Sequence, residues 1–192
     1  GQGGTVEIPS ILGGKPVVAI GNNAFQMPNL EIRTDITAVI LPEGLQSIGW
    51  SAFWGCAGIT SIEIPDSVTE IGIAAFETCT ALAQVTLPKN LTQISDSLFH
   101  NCPLTEIDLP QGITRIGDYA FRDTGLTAIV IPEGTLSIGK CAFEGCSELS
   151  AVTIPASVTE VGECAFANCP KLAPLDEILP EKLTKVIDGV VY

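Results

Sequence analysis

Six prolines, Pro42, Pro65, Pro88, Pro110, Pro132 and Pro155, fall 22 or 23 residues apart, and each closes the same short apolar run. No other feature constrains the fold as strongly. A unit of that length cannot bury its own apolar side, so it must stack on copies of itself until the copies share a continuous core. The best-formed unit is Ile59 to Cys79, ITSIEIPDSVTEIGIAAFETC.

The unit generalises to L-x-x-I-x-I-P-x-x-V-T-x-I-G-x-x-A-F-x-x-C, with phenylalanines at Phe53, Phe76, Phe99, Phe121, Phe143 and Phe166. A period of about 20 to 29 residues around an L-x-x-L-x-L core is the signature of leucine-rich repeats. The expected fold is a β-rich, right-handed leucine-rich-repeat solenoid. L-x-x-I-x-I alternates apolar and polar residues and predicts a short strand, stacked into a parallel sheet along one side. The Pro ends it, having no N–H for the ladder. V-T-x-I-G predicts a second extended segment on the opposite side, its Gly supplying a positive-φ turn. A-F-x-x-C predicts a single helical turn with the Phe inward. Thr135-Leu136 reverses the usual order and puts a hydroxyl at a core position, where a local adjustment is expected.

The chain divides into three parts. Residues 1–35 form an atypical first repeat with insertions around Ile11 to Pro16 and Asn29 to Asp35; residues 36–171 are regular; residues 172–192 are a last partial repeat and C-terminal edge. The chain begins without Met and stops within VIDGVVY, so it reads as a piece of something longer.

Composition narrows the function. Hydrophobic residues make up 46% of the chain but aromatics only 6%, as suits a core of stacked aliphatic rungs. With 22 acidic against 9 basic residues the net charge is −13, which repels nucleic acid and anionic membranes. No apolar run approaches the roughly 20 residues of a membrane-spanning helix. G-x-S-x-G, H-E-x-x-H, the P-loop and C-x-x-C are all absent.

The recurring I-P-x-S-V-T-x-I-G-x-x-A-F-x-x-C, seen as IPDSVTEIGIAAFETC and IPASVTEVGECAFANC, closely resembles the BspA-like leucine-rich repeat family over nearly the whole chain. The resemblance implies a large secreted or cell-surface bacterial protein whose repeats serve adhesion or protein binding, with no catalytic activity and no cofactor. The partner it implies is a protein, such as a host matrix or serum protein, and the fragment is expected to be monomeric, extracellular and not inserted in a membrane.

Five of the seven cysteines, Cys56, Cys79, Cys102, Cys146 and Cys169, sit three residues after the Phe. These five, and Cys141 and Cys164 two residues before a Phe, are all read as reduced thiols serving as small core residues, against the alternatives of a disulfide ladder or a metal site. The single His, His100, is read as a solvent-facing turn residue rather than a catalytic base. What remains is surface. Strand alternation turns Ser61, Glu63, Gln84, Thr86, Glu106, Asp108 and Val130 outward on one face, the first candidate for protein binding. A second, apolar candidate is Trp50, Trp54 and Ile73, unless the Asn29 to Asp35 insertion covers those rings. The competing reading is a passive spacer that presents another domain.

Overall fold

The computed structural model describes residues 4–174 and 185–186. The chain opens with strand β1 (Gly4–Glu7), a hairpin of β2 (Ile11–Leu12) and β3 (Lys15–Pro16), and β4 (Ala19–Ile20). The next three rungs carry one strand on either side: β5 (Ile36–Ile40) and β6 (Ser47–Ile48), β7 (Ser61–Glu63) and β8 (Glu70–Ile71), β9 (Gln84–Thr86) and β10 (Gln93–Ile94). The next rung has only β11 (Arg115–Ile116), followed by β12 (Ala128–Val130) and β13 (Ser137–Ile138), then β14 (Ala151–Thr153) and β15 (Glu160–Val161). β16 (Lys185–Val186) adds a further parallel strand against β15. Apart from the hairpin, every pairing is parallel, so the molecule is a parallel β-solenoid. Most of the last partial repeat expected over residues 172–192 lies outside the described residues.

The core is a set of residue columns running down the array. Seven phenylalanines, from Phe25 to Phe166, stack with centroids 4.9–5.8 Å apart and planes within 23° of parallel. Such offset stacks add roughly 0.5–1.5 kcal/mol per pair beyond the area they bury. Aliphatic columns such as Leu45, Val68, Leu91 and Ile113 flank them, fully or almost fully buried.

The A-F-x-x-C arc is not the expected helical turn. The amides of Ala52, Trp54 and Cys56 close turns onto Gly49, Ser51 and Phe53, whereas those of Ser51, Phe53 and Gly55 donate to Ile73, Ala75 and Glu77 of the next rung. Alternate amides thus serve the turn and the stack, and positive φ at Ser51 and Gly55 stops a helix from forming. Among the described residues the single helix is a 3₁₀ turn at Pro28–Leu30.

The role assigned to the I-G glycine is also corrected. Gly49, Gly72, Gly117, Gly139 and Gly162 are not at positive φ; that conformation falls two residues later, on Ser51, Ala74, Tyr119, Cys141 and Cys164. The glycine is needed for close approach, since a Cβ on Gly72 would lie 2.4 Å from the amide nitrogen of Trp50. Its amide donates to the rung before, as Gly72 N does to Ile48 O at 2.8 Å. Ser95 occupies this column in one rung, and there its hydroxyl takes the carbonyl of Ile71 that an amide would otherwise take. β8 and β10 are not paired, and the ladder on this side divides into β4-β6-β8 and β10-β11-β13-β15-β16.

At Thr135 the expected local adjustment is a hydrogen bond. The side chain is fully buried, and its Oγ1 donates to Ile113 O at 2.9 Å, while Leu136 turns outward at 54% exposure. The ladder continues undisturbed, with Leu136 N donating to Thr114 O at 2.8 Å.

Candidate functional site

The L-x-x-I-x-I side is less continuous than the single parallel sheet the repeat predicts. It is paired only as β1-β5, β7-β9 and β12-β14. Glu106–Leu109 holds a strand position but forms no strand. Clefts open at two of the joints where pairing lapses. One of about 360 Å³ lies between β5 and β7, lined among others by Ile40, Glu43, Ser61 and Glu63. A second, of about 390 Å³, lies between β9 and the Glu106 segment, lined by Gln84, Thr86, Glu106 and Asp108 among others.

These clefts bring together six of the seven strand-face residues singled out by alternation. Ser61, Glu63, Gln84, Thr86, Glu106 and Asp108 are all exposed at the rims, while of the residues between them Ile62 and Ile107 are buried and Val85 is partly buried. Val130 is 66% exposed but lies two rungs beyond Gln84 and Thr86, outside both clefts.

The charges on this face are uncompensated. Among the described residues, Glu43, Glu63, Glu106 and Asp108 make no ion pair, and no Lys or Arg lines either cleft. The cations sit elsewhere: Arg33 on Asp35, Lys89 on Asp66, Arg115 on Asp96, Arg122 on Glu144 and Lys140 on Glu163, at 2.7–3.2 Å.

The apolar candidate is partly divided. Trp50 and Ile73 are half exposed and occupy equivalent positions on successive rungs, but Trp54 is half-buried. The insertion docks beside Trp54 rather than over Trp50: Arg33 N donates to Gly55 O, and Arg33 bridges to Cys56. Asn22 Oδ1 accepts the amide of Trp50 at 3.1 Å and fixes the start of that column.

His100 is not the solvent-facing residue expected. Its side chain is 26% exposed, with Nδ1 2.9 Å from Glu77 Oε1 and Nε2 3.6 Å from Asp123 Oδ2. The bond to Glu77 raises its pKa, Asp123 adds to the effect, and burial and Arg122 oppose it. The signal was in the sequence, because Glu77 and His100 both follow the Phe of their repeats.

All seven cysteines are free thiols, but they are not all core residues as expected: five are buried, Cys169 is partly buried and Cys164 is exposed. The thiols of Cys79, Cys102, Cys146 and Cys169 donate to the carbonyl of the Phe one rung back, at 3.0–3.2 Å. Thr124 replaces one member of this column; its hydroxyl bonds Phe121 O at 2.9 Å and lies 3.2 Å from Cys146 Sγ. Among the described residues no three of His, Cys, Asp and Glu are grouped as a metal site. Nor is any helix there long and apolar enough to cross a membrane.

Residues 4–125 and 114–190 match a family model described as the BspA type leucine rich repeat region, in 6 copies. A leucine-rich repeat protein of T. pallidum, known as a crystal structure, is 31% identical, with a TM-score of 0.68 and coverage of 94% of this chain and 72% of that one. A leucine-rich repeat protein from Bacteroides ovatus is 22% identical at a TM-score of 0.42, covering 88% and 73%. A leucine rich cell surface protein from Faecalibacterium prausnitzii is 26% identical at 0.43, covering 88% and 58%. No curated protein matches the chain.

Proposed function

The chain belongs to the BspA-type leucine-rich repeat family, and on that premise we propose that it is a non-enzymatic protein-binding and adhesion module of a larger secreted or cell-surface protein. Leucine-rich repeat arrays are in general protein-interaction modules, built to present an extended surface. The observation that carries the proposal is the strand face: outward side chains on successive rungs, two clefts, and carboxylates with no cation of their own. A host matrix or serum protein is the partner class this surface fits, with the fragment acting as a monomer outside the cell.

The test is solid-phase binding to a panel of matrix and serum proteins, comparing the chain with a Glu63→Lys, Glu106→Lys, Asp108→Lys variant. Saturable binding that the variant loses supports adhesion through the strand face. Binding retained by the variant moves the contact to Trp50 and Ile73, and absence of binding to every protein leaves the array as a spacer.

A further inference from the structure

We infer that the strand face recognises an extended protein segment carrying two basic side chains three residues apart, a Lys/Arg-x-x-Lys/Arg pattern. The inference rests on the protein-binding reading above and names the chemistry of the partner. The two clefts are two rungs apart. The rings of the rungs that flank them stack at 5.2, 5.8 and 5.7 Å, so the clefts are separated by about 11 Å.

Each cleft is an acceptor site. Glu43 and Glu63 border the first, and Glu106 and Asp108 border the second beside the amide of Gln84 and the hydroxyl of Thr86. Eight acids elsewhere are matched by cations or His100, whereas these four, like Glu7, Glu31, Glu70, Asp118 and Glu133, make no ion pair among the described residues; what sets the four apart is that they stand two to a cleft. Backbone pairing is absent across both clefts, so a guanidinium or ammonium can address main-chain carbonyls as well as carboxylates.

Spacing selects the segment. A polyproline II chain advances about 9.3 Å in three residues and returns to the same side, and long Lys or Arg arms span the remaining distance. A β-strand puts same-side residues about 6.7 Å or 13 Å apart, a somewhat poorer match on either side. Arg suits the site better than Lys, because its fork can bond two acceptors at once.

The experiment is a fluorescence anisotropy titration with labelled proline-rich peptides carrying two Arg at i,i+2, i,i+3 or i,i+4. The partners are the chain, a Glu106→Gln/Asp108→Asn variant and a remote control, Glu31→Gln/Glu148→Gln, all checked for folding by circular dichroism. The expected result is at least fivefold tighter binding of the i,i+3 peptide, weakened tenfold or more by the cleft variant and twofold or less by the control. Equal binding at all spacings, or equal weakening by both variants, overturns the inference in favour of general attraction to net charge. Displacement of every peptide alike by spermine overturns it in favour of a polyamine. If no peptide binds while a panel protein is still lost on the Glu63, Glu106 and Asp108 lysine variant, the inference fails and the protein-binding reading stands.

Discussion

His100 Nδ1 lies 2.9 Å from Glu77 Oε1, so one side chain joins two rungs, and Asp123 on the following rung completes a carboxylate–imidazole–carboxylate file. The folded state raises the pKa of His100, chiefly through the Glu77 hydrogen bond. Folding therefore favours the protonated ring. The stabilisation is complete below the unfolded value of about 6.5 and is lost as pH rises through the higher folded value. Thermal melts of the chain and a His100→Gln variant should differ by about 1 kcal/mol at pH 6 and converge by pH 9. A difference that grows with pH would refute the assignment.

Gly72 and Gly112 separate close approach from ordinary glycine loss. A Cβ on Gly72 meets backbone at 2.4 Å, whereas one on Gly112 meets only Leu91 O at 3.4 Å, and neither position has positive φ. Gly72→Ala should cost about 2–3 kcal/mol by denaturant titration. Gly112→Ala should be neutral or slightly stabilising.

Thr135 tests whether its buried hydroxyl is needed. In the other rungs this column holds Leu45, Val68, Leu91, Ile113 and Val158, with no side-chain hydrogen bond to the rung before. Thr135→Val keeps the shape and should change stability by less than about 1 kcal/mol. Thr135→Ala removes volume as well and should cost more, about 1–2 kcal/mol on the same measurement.

The thiols should react in sequence. Cys164 is exposed, while burial pushes Cys56 up to about 11 and Cys141 up to about 12, leaving little thiolate at neutral pH. Alkylation followed by mass spectrometry should label Cys164 first, with the buried thiols labelled only on unfolding. Rapid labelling of Cys56 or Cys79 would contradict the packing.

The proline period gave away the solenoid, and the Phe column and strand alternation gave the core and the outward rows, because each depends only on residue type at a fixed offset. The openings in the ladders were not legible. Whether β9 bonds to the Glu106 segment depends on how the two backbones sit against each other, which a hydrophobic pattern does not encode. The I-G glycine was misread for a related reason: close approach and positive φ both call for Gly, and only the backbone distinguishes them. Ser95 was visible as a departure from the template, but its consequence for β8 and β10 needed the neighbouring rung. The helical turn expected at A-F-x-x-C failed because alternate amides there bond to the next rung, a demand that lies outside the unit itself.

The rung that carries Phe99 is held differently by its two neighbours. It bonds to the preceding rung through β7-β9 but not through β8-β10, and to the following rung through β10-β11 but not from β9. Its turn column stays bonded on both sides, through Ala74 N to Asp96 O and Ser97 N to Asp118 O. Under a pull along the axis this rung would tilt about that column like a leaf on a spine.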